Sequence, residues 1–325
     1  MNNFVKLALE NGGIIKPLLI PPEKLSGPSC MNPSVLVVDG KILVNIRNVN
    51  YTLYHSEMNV FEHTWGPLVY VHPENDCHLR TTNYIMELDD DLNMIYQSKI
   101  DTSNFDTYQP QWEFVGLEDV RLIEWNGKIY GIGVRRDLDT VGTGRMELSE
   151  LEFSQSIVKE VSRYRIPGPP PDNEYCMKNC TPIQDKPFTL LKWTNPTVLM
   201  KFYPDGRDTE VVTTNEYKSG YADMRGGSQI IKYKNGYITL IHETYLYRSE
   251  QDKKDGHYKH RFVIWDNEFK EQKFSELFSF MNMKIEFCCG MSVYGNDFLI
   301  SFAVQDNASY VLKIPQTFVD NFIGL

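Results

Sequence analysis

Apolar residues along this chain come in short alternating runs, each cut by a tight polar turn, and one arrangement keeps recurring. NPSVLVVDGKILVNIRN, LEDVRLIEWNGKIYGIGVRR, KNCTPIQDKPFTLLKWT, RGGSQIIKYKNGYITLIHET and CCGMSVYGNDFLISFAVQD each read as a polar or small start, an apolar strand, a turn, and a second apolar strand ending in polar residues. The predicted turns are Asp39-Gly40, Asn126-Gly127, Asp185-Lys186, Asn235-Gly236 and Gly295-Asn296, and four of these five pairs hold the glycine that two-residue hairpin loops favour. A further strand pair with a polar turn follows four of the hairpins, in NYIMELDDDLNMIYQSKI, RMELSELEFSQSIVKEV, TVLMKFYPDGRDTEVVT and RFVIWDNEFKEQKFSEL. Helical periodicity is scarce; it predicts a helix over 3–11 and a short one around 274–280.

Four antiparallel strands per unit, repeated at roughly 50 to 90 residues, is the arithmetic of a β-propeller. Five such units use up the 325 residues. The expected fold is therefore all-β, a single five-bladed propeller domain over 1–325 with 1–27 as a lead-in segment. A two-sheet sandwich would show similar alternation but does not require the same hairpin five times. In a propeller the first strands of the blades surround the axis, so the polar residues at strand starts and ends converge on one central funnel.

Charge narrows the partners. A formal net charge of -10 and a pI near 5.3 argue against a broad nucleic-acid-binding face, because such affinity comes mainly from Lys and Arg neutralising phosphates. The sequence contains no apolar run long enough to span a membrane, and the start MNNFVKLALENGG lacks a basic region followed by a full hydrophobic one, so the expected setting is cytoplasmic. The six cysteines read mainly as buried thiols; Cys176 and Cys180 have helix-like spacing but no second Cys or His pair nearby, so no metal is expected.

The strand starts and ends supply the candidate chemistry: Asn32 and Arg47; Glu118, Asp119, Arg121, Arg135 and Arg136; Lys178, Asn179 and Lys192; Arg225, His242 and Glu243; Glu286 and Asp306. Acids, bases and cations mixed in one cavity suit a hydroxyl-rich substrate carrying or meeting an anion. Asp119 is the strongest single candidate: burial and the adjacent Glu118 would raise its pKa toward that of a general acid, while Arg121 pulls the other way. Arg135 and Arg136 must split across the two faces of their strand, so at most one of them reaches the site. Nucleotide-binding, zinc-protease and nucleophile-elbow signatures are absent.

The segment GLEDVRL resembles the Gly-x-Glu-Asp-Pro-Arg motif of glycoside hydrolase family 130, five-bladed propellers that include inverting β-mannoside phosphorylases and related hydrolases. The likeness extends through NPSVLVVDGKILVNIRN, MKNC, RGGSQIIKYKNGYITLIHE and IEFCCGMSVYGNDFLISFAVQD in the family's order. It implies that Asp119 is the proton donor, that Asn32, Arg47 and Asp306 hold the sugar with Glu118 beside them, and that Arg121, Lys178 and His242 lie close to sugar or phosphate. Val120 replaces the motif proline, and Lys192 and Trp193 stand where the phosphorylases have a histidine and an arginine around phosphate, which makes Lys192 a substitute phosphate ligand. A phosphorylase needs no second catalytic carboxylate, whereas an inverting hydrolase needs a base, for which Glu243 and Glu286 are the candidates.

The resemblance implies inverting glycosyl transfer on a β-mannoside-like substrate, with phosphorolysis or its reverse favoured over hydrolysis and no cofactor beyond phosphate or a sugar nucleotide as co-substrate. Two alternatives remain open from the residues: a glycosyltransferase using a nucleotide sugar, and a noncatalytic glycan-binding propeller.

Overall fold

The computed structural model describes residues 3–52, 60–62, 69–71, 78–155, 157–221, 224–248 and 254–325. The described residues are all-β in architecture, with two short α-helices, Phe4–Glu10 and Gln316–Ile323, and one 3-10 turn, Pro22–Lys24.

Each predicted hairpin forms and is extended outward into an antiparallel ladder. Ladder one runs Ser29–Val38, Lys41–Val49, Leu79–Leu88 and Met94–Asp101; ladder two runs Glu118–Trp125, Lys128–Arg135, Arg145–Ser154 and Ile157–Arg165. Their outer strands meet through the parallel pairs Val158–Ile100 and Lys159–Asp101, joining both into one continuous sheet. Ladder three comprises Thr181–Pro182, Thr189–Trp193, Val198–Lys201 and Glu210–Thr213. In ladder four Met224–Gly226 and Ile231–Tyr233 both pair with Gly236–Arg248, which is followed by Lys254–Asp266 and Gln272–Phe274.

Ladder five runs Glu286–Tyr294, Asp297–Val304 and Ala308–Pro315, and its fourth strand, Ile14–Pro17, comes from the other end of the chain. The expected lead-in thus carries a helix and a strand of its own. Phe4 is fully buried among Phe262, Phe278, Phe280, Phe318 and Phe322, so the N-terminal helix, the C-terminal helix and ladders four and five share one core.

The turns follow the sequence with two adjustments. Asp39-Gly40, Asn126-Gly127 and Gly295-Asn296 sit in two-residue loops as expected. In ladder four Tyr233 pairs with Gly236, so the loop is Lys234-Asn235, one residue earlier. Asp185-Lys186 lies within a longer connection between Thr181–Pro182 and Thr189–Trp193. The helix expected around 274–280 does not form: Phe278 exchanges backbone hydrogen bonds with His260, tying that segment to ladder four.

The innermost strands of neighbouring ladders are bridged largely by buried side chains, which satisfy backbone groups that their own ladders leave unpaired. Leu122 N–H donates to Ser34 Oγ at 2.9 Å, Val35 N–H donates to Ser301 Oγ at 3.0 Å, Gln229 Nε2 donates to the Val35 carbonyl at 2.7 Å, and Trp125 Nε1 donates to the Ile183 carbonyl at 2.8 Å. These polar residues inside apolar strands hold the inner ends of the ladders together.

Candidate active site

Asn32, Asp119 and Asn179 stand at the start of the first hairpin strand, or just before it, in ladders one, two and three, and all three adopt left-handed backbone, with φ of 48°, 52° and 59°. Asn and Asp tolerate this conformation better than other side-chain-bearing residues. The strand register shifts beside Asn32 and opposite Asp119, and such irregularities bend a strand and re-aim a side chain. Asp306, just after the second strand of ladder five, is also left-handed, with φ 49°. All four residues line one cavity of about 240 Å³, to which every ladder contributes.

Arg47 organises its acidic side. The guanidinium is buried and donates to Asp119 Oδ1 at 2.8 Å, Glu118 Oε2 at 3.1 Å, the Tyr51 hydroxyl at 2.9 Å and Thr81 Oγ1 at 3.1 Å. Asn32 Nδ2 donates to the same Asp119 oxygen at 2.7 Å. Arg121 lies underneath, donating to the Asp119 carbonyl at 2.7 Å and to the Gly227 carbonyl at 2.8 Å. That reach depends on the glycine pair: a Cβ at Gly226 would stand 2.0 Å from the Asn179 carbonyl oxygen, and one at Gly227 would stand 2.4 Å from that of Leu240.

The carboxyls titrate differently. Burial alone would raise the Asp119 pKa, but the charges of Arg47 and Arg121 and the Asn32 hydrogen bond hold it below the usual carboxylate range. Burial and the neighbouring Asp119 charge push Asp306 up to about 6, against the pull of Arg47 and Lys178. Burial, then His260 and the nearby cations, keep His242 well below its usual pKa and hence neutral. Its ring stacks on Tyr258 at 5.3 Å and meets the edge of Phe287 at 4.8 Å, and Nδ1 has no partner among the described residues.

On another part of the wall Arg136 lies over the rings of Phe114 and Tyr175, at 5.3 and 5.6 Å, and donates to the Tyr175 hydroxyl and the Gly142 carbonyl. Lys178 is exposed at the cavity. Neither cation has a carboxylate partner among the described residues.

The structure therefore gathers Asn32, Arg47, Glu118, Asp119, Lys178, His242 and Asp306 into one cavity, with Arg121 supporting Asp119 from behind. Three expected residues fall outside it. Lys192 pairs with Glu174 at 2.8 Å and does not line the cavity. Glu243 is held by Arg261 at 2.6 Å and by the Tyr245 hydroxyl at 2.8 Å. Glu286 is fully buried and accepts the backbone N–H groups of Phe280, Met281 and Met283, so that it holds a turn together. Of the two adjacent arginines Arg136 lines the site, while Arg135 is buried against Glu147. Tyr51, Phe114, Tyr258 and Phe287 also line the cavity, and nothing in the strand-end pattern had singled them out.

No family model and no curated protein matches the sequence. Among solved structures the chain is similar to a beta-1,2-mannobiose phosphorylase from Listeria innocua (TM-score 0.55, 12% identity, covering 95% of this chain and 96% of that one). It is also similar to a mannose phosphorylase from Leishmania mexicana in complex with phosphate ion (TM-score 0.53, 12% identity, 97% and 93% covered). A third similar structure comes from the GH130 family of mannoside phosphorylases, which contains glycoside hydrolases that target beta-1,2 mannosidic linkages in Candida mannan (TM-score 0.58, 12% identity, 89% and 85% covered). The resemblance read from GLEDVRL thus extends to the fold of nearly the whole chain.

Proposed function

We propose that this chain is an enzyme of the GH130-like type, a five-bladed propeller forming one unit, that transfers a mannosyl-like residue with inversion between phosphate and a sugar hydroxyl. The observation that carries this reading is the division of one cavity into an acid held by Arg47 and Asn32 and a wall presenting Arg136 and Lys178, which form no ion pair among the described residues. The first half suits a reacting glycosidic oxygen; the second suits a phosphate. The five ladders, whose inner hairpins carry most of the site, are the blades. Free thiols at the five described cysteines fit a reducing, cytoplasmic setting.

The chemistry follows from the protonation states. In the synthetic direction an acceptor hydroxyl attacks the anomeric carbon of a sugar 1-phosphate, the carbon–oxygen bond to phosphate breaks, phosphate leaves with the bonding pair, and Asp119 takes the hydroxyl proton. A carboxylate kept ionised by Arg47 and Arg121 is ready for that role. In phosphorolysis the steps reverse: Asp119 donates a proton to the departing glycosidic oxygen as phosphate attacks. Phosphate, arriving with negative charge, raises the proton affinity of Asp119 and favours its acid form. Both hydrolytic-base candidates are tied up elsewhere, which supports phosphate over water as the second reactant.

A cavity of about 240 Å³ is small beside the ~300–1,000 Å³ of typical ligand pockets, which favours a sugar phosphate over a nucleotide sugar as donor. The test offers mannose 1-phosphate and GDP-mannose separately with a panel of sugar acceptors, to wild type and Asp119→Asn. Asparagine keeps the left-handed backbone accessible, so the variant should fold. Turnover from mannose 1-phosphate alone, lost in the variant, is expected. Turnover only from GDP-mannose would replace the phosphorylase with a transferase, and undiminished turnover in Asp119→Asn would remove the acid from the mechanism.

A further inference from the structure

A larger cavity, about 420 Å³, lies between ladders one and two, beneath the segment that carries Tyr108 and Gln109. It shares no lining residue with the candidate active site; the two lie on either side of the segment 116–120, with Glu118 and Asp119 facing one and Gly116, Leu117 and Val120 facing the other.

Its interior is built from paired charges and spare hydrogen-bonding groups. Arg135, almost fully buried, is held by Glu147 at 2.7 Å and the Tyr108 hydroxyl at 2.8 Å, with Asp137 at 3.5 Å; Glu160 is neutralised by Arg163 at 2.6 Å. Because these ions compensate one another, the deep part of the cavity has little to offer a charged ligand; the other charged lining residues, Arg80, Lys99 and Asp106, are exposed, and Asp106 is held by Arg163 at 2.7 Å. What remains is neutral recognition. Asp137 is fully buried and its Oδ1 has no hydrogen-bond partner among the described residues, although its Oδ2 accepts from Gly116 N–H at 3.1 Å. Buried carboxylate oxygens are rarely left so. The hydroxyls of Thr82 and Ser149 line the same space without a partner among the described residues. Ile100, Leu117, Val120 and Leu151 supply an apolar floor.

We propose that this cleft is a second binding site, separate from the reacting centre, for a neutral polyhydroxylated molecule of one or two sugar rings. A sugar ring offers an apolar face of C–H groups and a rim of hydroxyls that both donate and accept, which is the complement of an apolar floor ringed by an unsatisfied acceptor and free hydroxyls. The volume falls within the ~300–1,000 Å³ range of small-molecule pockets. The inference does not depend on the proposed reaction, because it concerns binding and not turnover.

Calorimetric titration of mannose, glucose, galactose and their β-linked disaccharides tests it, using the full chain in three forms besides wild type. Asp306→Ala disables the active-site cavity. Lys99→Trp obstructs the second cleft from an exposed strand position, and Tyr108→Phe removes one hydroxyl from its wall with little change of shape. The expected result is a class of sugar binding that survives Asp306→Ala and is weakened about tenfold or more by Lys99→Trp, with a smaller loss in Tyr108→Phe. Binding abolished by Asp306→Ala, binding untouched by both cleft variants, or no saturation with any of the sugars up to tens of millimolar would each overturn the proposal.

Discussion

Asp119 and Asp306 sit in one cavity with pKa values displaced in opposite directions, and that opposition is measurable. For Asp119 the folded pKa is lowered, so its contribution to stability is present above the unfolded value of 3.8 and is lost as pH falls through the lower folded value. For Asp306 the folded pKa is raised to about 6, so between about 3.8 and 6 the native state binds the extra proton and stability falls as pH rises. Asp306→Asn should therefore be more stable than wild type above pH 6, with the advantage shrinking as pH drops toward 4; melting temperatures of both proteins across that range check it, and a constant difference would contradict the assignment. Asp119→Asn should lower turnover by about 10²–10⁴, the range for loss of a general acid or base, while sugar-phosphate binding persists. The cations discriminate in the same way. Arg136→Ala should weaken phosphate binding by about tenfold, and Lys192→Ala, whose ammonium is committed to Glu174, should leave it unchanged in the same titration.

At the level of strands, the ladders depend on single buried hydroxyls. Ser34 is fully buried and receives Leu122 N–H, so Ser34→Ala would strand that donor between two ladders and should cost about 1–3 kcal/mol in a urea titration. Ser98, on an exposed outer strand, serves as the control, and equal effects of the two alanines would count against the bridging role. The hairpins themselves were legible because alternation is a local signal, sharpened in the first two by Asp39-Gly40 and Asn126-Gly127 turns, and four of the five outer strand pairs were legible from the same alternation. The fifth was not. Its outer strand, Ile14–Pro17, pairs with residues near the far end of the chain, and no local pattern marks that partnership. The site shows a parallel limit. Asn32, Arg47, Asp119 and Asp306 could be found because strand ends carry polar residues toward a shared place, but the same rule placed Lys192, Glu243 and Glu286 there. Lys192 and Glu243 are captured by Glu174 and Arg261, each 18 residues away and brought near by the packing, while Glu286 is captured by the local 280–283 backbone through a turn that the alternation pattern does not mark.

For the whole molecule, the meeting of the two ends of the chain completes ladder five. Ile14–Pro17 pairs with Ala308–Pro315, and the N-terminal helix places Phe4 in the aromatic core shared by ladders four and five and the C-terminal helix. Phe4 stacks on Phe278 at 4.4 Å and meets Phe322 edge-on at 5.1 Å, and it is fully buried. Truncating such a ring removes its apolar burial and leaves a cavity that rigid ladders cannot fully collapse, at about 3–5 kcal/mol. None of the aromatic partners of Phe4 lines the candidate active site, so Phe4→Ala should lower the denaturation midpoint while KM for the sugar phosphate stays at the wild-type value. A single cooperative transition shifted to lower denaturant would mean that the clasp is part of the same folding unit as the ladders. A separate early transition, with the remainder unfolding at the wild-type midpoint, would mean that the N-terminal helix and strand are an attachment and that the other strands hold the site without them.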